Sequence, residues 1–538
     1  MTKAAVSTKL TPVHRSQTHQ QLTHSRHSPA TGSRDRGAVV SPVGAFALVV
    51  IISLVCADRV VAELRAGASK VDITNVDAGP VNDPLYAKAL VVSDGTTTVV
   101  IATVDAVALA EIGPIRNDFM SKVRAGLKRD LDMNPQHVLV NASHCHGIVC
   151  ADVAERTVQA VTQAAGDMVP VTVGAGVGHE DRIMENRRLK LKSGREVDVR
   201  QAYSLPADEE VASVGPVDPE IGVLRLDRED GRTLAVVYNF ACHPIQGVPS
   251  GGNSADLTGF ASQVIEDHSS EGTIAIFLQG CAGDINPAMY KDVNRPRDAE
   301  PLGNLLGLST LKAARKVRCQ AGARLEVLNQ VIELPRADTG QRIIALQAQQ
   351  QQLLRSLRGT FLNLKSFLPL AVKYGLSSEF PAHDSHRYLH EQAMGRNDLN
   401  HLDRTNRRHL QQYIRNVRTM EQLTRININL ALLRKHQANN LAAPKRTVDV
   451  ELVGLRIGEF VLVTFPGELT VQIGLNIKRE SPHELTFVAG YTNGYIYYAP
   501  TAEQLRNVGG AQEDSECILA PPWQAIFESK AAEMISQL

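Results

Sequence analysis

The chain has 538 residues, 43% of them hydrophobic and 21% charged, and its 57 basic side chains balance 57 acidic ones. That length suits two to four domains of roughly 150 residues each, in the composition range of globular proteins. A formal net charge of +0 gives no support to a nucleic-acid-binding surface.

Only the N-terminus is basic. Residues 1–43 are rich in Ser, Thr, His and Arg, lack hydrophobic periodicity and read as disordered. The apolar run at 45–57 is too short to span a bilayer comfortably but suits a signal-peptide core. Small residues at Val55-Cys56-Ala57 and Val60-Val61-Ala62 offer cleavage sites. Residues 1–62 are therefore expected to be a leader and signal peptide, which implies a secreted or periplasmic protein. An uncut membrane anchor is the alternative.

Six apolar strands follow, each releasing polar residues at its C-terminal end. Residues 97–104 end in Asp105, and 138–140 end in Asn141-Ala142-Ser143-His144-Cys145-His146. Residues 234–240 lead into Ala241-Cys242-His243-Pro244, and 273–278 into Gln279-Gly280-Cys281-Ala282-Gly283-Asp284-Ile285-Asn286. Residues 460–465 end in Pro466-Gly467-Glu468, and 486–489 in Gly490-Tyr491-Thr492-Asn493. Near-continuous apolar strands of this kind are buried on both faces. Amphipathic helices are predicted at 113–130, 152–166, 258–268 and 302–317. The alternation indicates an α/β or α+β core. Residues 338–436 differ: Ile343, Leu346, Leu353 and Leu357 mark one helix, and Leu410, Tyr413, Val417 and Met420 another, with a break around 369–386. This segment reads as a helical insertion, a hairpin laid over the core. It is a lid, a partner surface or a packing elaboration. The expected division is 1–62, 63–337, 338–436 and 437–538, the second and fourth segments forming one catalytic domain.

The strand ends carry the chemistry. Ligands collect at the C-terminal ends of strands in open sheets, and imidazole is the commonest neutral metal ligand. On an extended segment His144 and His146 would point the same way, and His243 comes from another strand end. Glu468 is a ligand, a general base or a helix cap. Tyr495, Tyr497 and Tyr498 crowd one loop, where a phenol can ligate a metal or donate to an oxyanion. Cys145 is either a ligand or a small buried residue between two histidines. Six cysteines lie beyond the leader, an even count that permits disulfides but at spacings too sparse for a disulfide scaffold. Asn141-Ala142-Ser143 matches a glycosylation sequon, but at a buried strand end. No Gly-x-Ser-x-Gly elbow and no Walker loop is present.

Taken in order, Ser143-His144-Cys145-His146-Gly147, Asn239-Phe240-Ala241-Cys242-His243, Gln279–Asp284, Phe465-Pro466-Gly467-Glu468 and Asn493-Gly494-Tyr495-Ile496-Tyr497-Tyr498 resemble the neutral/alkaline, non-lysosomal ceramidases. The resemblance runs from about residue 65 to about 523, the insertion excepted. It implies an α+β fold with large mixed β-sheets flanked by helices. It further implies Zn2+ held by His144, His243, Glu468 and Tyr498. His146 would act near the scissile carbonyl, off the metal; Arg187, in Asn186-Arg187-Arg188, would line the site, and Tyr498 would be catalytic as well as a ligand. Asp284 and Asn286 would meet the substrate, and Asp105 and Asp256 would support. The implied reaction is hydrolysis of a linear amide, releasing a fatty acid from a ceramide or related lipid by attack of metal-bound hydroxide.

Three features depart from that family. Asn286 stands where the family has Ser, Cys145 where it usually has Thr, and no aromatic follows at 509–513. Another N-acyl or ester substrate for the same metal site is therefore a second reading. A non-catalytic metal-containing binding protein is a third. Expected partners are a lipid or other N-acyl substrate and no nucleic acid, with peripheral membrane contact allowed; the sequence does not set the oligomeric state.

Overall fold

The computed structural model describes residues 63–199, 205–290, 292, 294–381, 385–507 and 510–538. The leader and signal peptide expected over 1–62 lie outside the described residues. The apolar runs at 233–240, 274–279 and 138–142 form strands in which every residue is buried. They belong to one eight-stranded mixed sheet. Its spatial order is Ile274–Gln279, Thr233–Phe240, Glu220–Arg228, Val169–His179, Arg65–Asp72, Tyr86–Ser93, Thr98–Val104 and Val138–Ala142. The outermost pair at each end is parallel and the rest are antiparallel. The sheet curls until its two outer strands approach, and the Gln279 N–H donates to Asn141 Oδ1 at 2.9 Å.

A four-stranded sheet lies against it. Leu325–Pro335, Thr447–Ile457 and Phe460–Thr464 pair antiparallel, and Phe460–Thr464 pairs parallel with Thr486–Ala489. Strand alternation sends Leu224, Val237 and Ile276 of the large sheet toward Leu455, Phe460 and Phe487 of the small one. The opposite pleat, with Val236, Tyr238 and Phe277, packs on helices. Asn141 Nδ2 donates to Gly490 O at 2.7 Å and Asn239 Nδ2 to Val488 O at 3.2 Å, so buried amides tie the two sheets together near their C-terminal ends. With its amide thus occupied and only 1% exposed, Asn141 is no glycosylation acceptor in this fold.

The helices are α1 (Phe119–Leu131), α2 (Val153–Gly166), α3 (Asp256–Asp267), α4 (Glu300–Ala314), α5 (Gly340–Ser356), α6 (Leu364–Leu376), α7 (His386–Ala393), α8 (Asp398–Ala442), α9 (Val471–Glu480) and α10 (Trp523–Gln537). Helix α1 starts six residues later than the sequence predicts, because Gly113 takes φ +74° just before Pro114 and turns the chain first. The architecture is α+β, with mixed sheets flanked by helices. Among the described residues no helix is long and apolar enough to cross a membrane.

Helices α5 to α8 make up the expected insertion, and the long helix runs past 436 to Ala442. Leu346 of α5 packs with Ile426, Leu430 and Leu433 of α8. Within the expected break around 369–386, α6 continues as far as Leu376 and α7 starts only at His386. Pro369 sits inside α6, where it forgoes one backbone hydrogen bond. The aromatic side chains of that helix explain why it persists: Phe367 stacks on Tyr413 at 4.5 Å, and the Tyr374 hydroxyl donates to Asp403 Oδ1 at 2.7 Å.

A candidate metal centre at the strand ends

His144, His243 and Glu468 come together from three strand ends, with their ligand atoms all within 4.8 Å of one another and all three residues buried. The curl of the large sheet brings the first two near each other, and the Pro466-Gly467 turn after Phe460–Thr464 delivers the third. His144 is not on extended backbone. The strand stops at Ala142, and His144 takes φ +68°. The expected parallel aim of His144 and His146 therefore fails: the rings lie 5.8 Å apart at 80°, and His146 is exposed at the cavity wall. Cys145 is buried between them and lies outside the cluster.

Both buried histidines are oriented the same way. His144 Nδ1 lies 2.5 Å from Val107 O, and His243 Nδ1 lies 2.9 Å from Ile285 O. A carbonyl oxygen only accepts, so each Nδ1 carries a hydrogen, which leaves Nε2 as the ring atom turned toward a metal. Glu468 Oε2 sits 3.1 Å from His243 Nε2 and 3.7 Å from His144 Nε2. Burial lowers the His144 pKa to about 4 and keeps the ring neutral despite Glu468. Burial alone would raise the Glu468 pKa, but the two histidines and the Tyr495 phenol hold it well below the carboxylate range. Two ring nitrogens and a carboxylate thus face one another, a donor set that suits a cation once His243 Nε2 gives up its hydrogen bond to Glu468.

Two phenols fix the carboxylate. Tyr495 donates to Glu468 Oε1, and Tyr491 donates to Oε2 at 3.2 Å. Burial and then the charge of Glu468 push both phenols far above their usual range, so they stay protonated donors. Tyr491 was not among the sequence candidates. Its signal was present as an aromatic directly after the strand that ends at Ala489. Tyr491, Asn493 and Tyr497 all take positive φ, a concentration of strained backbone beside the cluster.

Glu468 and Tyr498 are register partners in a two-residue parallel ladder, Glu468–Leu469 with Tyr498–Ala499, so both side chains leave the same face. Glu468 is therefore not the cap of α9; Thr470 takes the N-cap position. Arg187 reaches the Tyr498 hydroxyl at 3.3 Å. It also donates to Glu513 Oε1 (2.7 Å), Asn286 Oδ1 (3.0 Å) and Gly283 O (2.5 Å). Glu513, which sequence reading missed, is the buried counter-charge of both Arg187 and Arg188.

Two expected substrate contacts lie elsewhere. Asp284 is fully buried, accepting from Val471 N at the start of α9 (2.8 Å) and from Asn186 Nδ2 (3.1 Å), and it does not line the cavity. Asn286 is also absent from the cavity wall, because its oxygen is spent on Arg187. Asp105 holds the Tyr86 N–H at 2.9 Å behind the site. Asp256 does reach the cavity and accepts from Gly247 N at 2.6 Å and Leu257 N at 2.7 Å, bracing the turn after His243. Burial raises its carboxyl to about 6.

The cluster stands at the wall of a cavity of about 880 Å³. His146, Arg187 and Tyr498 line it with the ligand set. Val107, Ile112 and Ile245 are its aliphatic members, and Tyr290, Asp292, Arg295, Arg297 and Glu516 complete a more polar part.

Tyr497 faces the other way, toward the insertion. His436 of α8 packs edge-on against it at 4.5 Å, Lys435 Nζ lies 4.9 Å from its centroid, and its hydroxyl donates to Glu111 Oε2 at 3.0 Å. Neither ring nitrogen of His436 has a hydrogen-bond partner, although the residue is fully buried. The six cysteines among the described residues are all free thiols. Cys145, Cys242, Cys281 and Cys517 are buried, and burial raises each of their pKa values.

No family model and no curated protein matches the chain. Solved structures do match. A ceramidase complexed with C2 aligns at TM-score 0.56 and 16% identity over 88% of this chain and 75% of that one. The neutral ceramidase of Pseudomonas aeruginosa aligns at TM-score 0.55 and 16% identity over 89% and 75%. The chain shares the fold of these proteins.

Proposed function

We propose that the chain is a zinc-dependent hydrolase of N-acyl amide bonds, of ceramidase type, releasing a fatty acid from a ceramide or related lipid. One observation carries the reading: Nε2 of His144 and Nε2 of His243 converge with the Glu468 carboxylate at the wall of a cavity. That donor set suits zinc, and the residues present fit the ion. His144, His243 and Glu468 would hold it, with Tyr498 as the fourth donor. A bound divalent ion supplies Lewis acidity, polarising an acyl carbonyl and lowering the pKa of water.

The chain's own residues supply the rest. Tyr491 and Tyr495 hold Glu468 in one orientation. Arg187, fixed by Glu513 and Asn286, aims Tyr498 into the cavity, where a phenol can steady charge developing on the acyl oxygen. His146 is exposed to the cavity and is placed to give a proton to the departing nitrogen. The apolar run at 45–57 supports export of the enzyme from the cytoplasm.

A second reading keeps the centre and changes the substrate to a more polar N-acyl or ester compound. Arg295 and Arg297 in the cavity wall favour it, as does the small number of aliphatic side chains there. The test is hydrolysis of a short-chain fluorescent ceramide, with and without chelator and added zinc. Chelator-sensitive release of fatty acid is expected. One equivalent of bound metal without release would overturn the ceramide assignment and leave the second reading.

A further inference from the structure

Helix α6 is apolar on two sides. Its inner side, Phe367 and Tyr374, is spent on α8. Its outer side carries Leu364, Leu368, Val372 and Leu376 at a spacing of four, exposed by 61, 53, 60 and 83%, and Phe361 just before it is 90% exposed. A helix that is hydrophobic all round belongs in a core or in lipid, and contiguous exposed patches of this kind mark interaction surfaces.

The charge around the stripe points to one partner. No acidic residue occurs between Asp338 and Glu379, a stretch holding Arg342, Arg355, Arg358, Lys365 and Lys373. Residues 341–440 carry 15 basic and 6 acidic side chains in a chain whose net charge is +0. Arg355, Arg358 and Lys365 are exposed, Lys365 in the same helix and the two arginines shortly before it in the chain. A second copy of the chain would bring the same basic residues against themselves. An anionic bilayer would meet them with opposite charge, at about 1 kcal/mol per basic residue near the surface. Thirteen residues make a helix of about 20 Å, too short to cross a bilayer but suited to lying in its plane.

We propose that the outer face of Leu364–Leu376, with Phe361, docks into the headgroup–acyl boundary of an anionic lipid bilayer. Basic residues from the insertion hold it there. The insertion is then a membrane-docking module added to the hydrolase fold, independent of what the metal centre cleaves.

The test is flotation of the full chain with phosphatidylcholine vesicles, with and without phosphatidylglycerol, at low and high salt. The comparison is the double variant Leu368→Gln/Val372→Gln, which changes exposed positions only and leaves any contribution of the 45–57 run untouched. Binding to phosphatidylglycerol vesicles is expected, weakened by salt and reduced about tenfold or more in the double variant. Equal binding by the two proteins would overturn the proposal, as would no binding by the unaltered chain. A concentration-dependent dimer that the double variant abolishes, without vesicle binding, would assign the stripe to a second copy and overturn it too.

Discussion

Tyr495 donates its phenolic hydrogen to Oε1 of Glu468, so the carboxylate that faces two histidines is also held from behind. Groups that orient a ligand in this way typically carry 10- to 100-fold in metal affinity or activity. Tyr495→Phe is therefore expected to weaken zinc binding by about tenfold or more while leaving the fold intact. Competition with a chromophoric chelator measures the affinity, and an unchanged value would show that Glu468 needs no such support.

His243→Ala should abolish metal retention. It removes one of two imidazole donors and leaves His144 and Glu468 as an incomplete set. Elemental analysis of the purified variant is the measurement, with far-ultraviolet circular dichroism confirming the fold. His146→Ala, in contrast, should retain metal and lose rate, because His146 stands at the cavity wall apart from the cluster.

The Arg187–Glu513 pair is buried, and removing Arg187 leaves Glu513 to the more distant Arg188 at 3.5 Å. Arg187→Met should cost about 3–5 kcal/mol, and Arg187→Met/Glu513→Gln should recover much of that loss. Urea unfolding of the two variants decides the point. A double variant no more stable than the single would mean that Glu513 gains little from Arg187.

Asn286→Ser bears on specificity. Because the Asn286 oxygen accepts from Arg187 and does not line the cavity, the substitution should lower turnover of all acyl substrates by a similar factor. Turnover of a ceramide and of a single-chain N-acyl compound, measured side by side, tests this. A selective gain for ceramide would restore Asn286 to the substrate.

His436 makes stability depend on pH. Burial, with Lys435 adding to it, lowers its pKa from 6.5 to about 4. A depressed histidine contributes stability that is present above its unfolded pKa and is lost as pH falls toward the folded value. Between about pH 7 and about pH 5 that loss is up to roughly 2 kcal/mol. His436→Phe keeps a ring against Tyr497, removes two unpaired nitrogens and should flatten this part of the profile. It should also be at least as stable at neutral pH. Urea midpoints at the two pH values report both effects.

Much of the core was legible because its strands are buried on both faces and read as unbroken apolar runs. Residues 233–240 and 274–279 needed no alignment to be found. His144, His243 and Glu468 were legible as polar residues released at strand ends, but which histidine turns inward was not. That depends on the left-handed backbone at His144, which periodicity does not encode. Asp284 and Asn286 misled for a related reason. Polar side chains in a loop near a site are as readily consumed by a helix N-terminus or a neighbouring guanidinium as offered to a substrate. Helix α6 was obscured by Pro369, which signals a break in the sequence and is tolerated where aromatic packing on α8 holds the helix.

Four thiols are buried: Cys145 and Cys242 adjoin His144 and His243 in the chain, Cys281 lies in the Gly280–Asp284 loop, and the backbone of Cys517 bridges to that of Tyr497. In the closed protein they are neutral and inaccessible, whereas Cys150 and Cys319 are partly exposed. Alkylation rates, read cysteine by cysteine by mass spectrometry, would therefore form a clock. Slow modification of these four would time the local opening of the core around each, with the partly exposed pair as the internal reference. The same readout, repeated with and without zinc, would show how far the ion damps that opening.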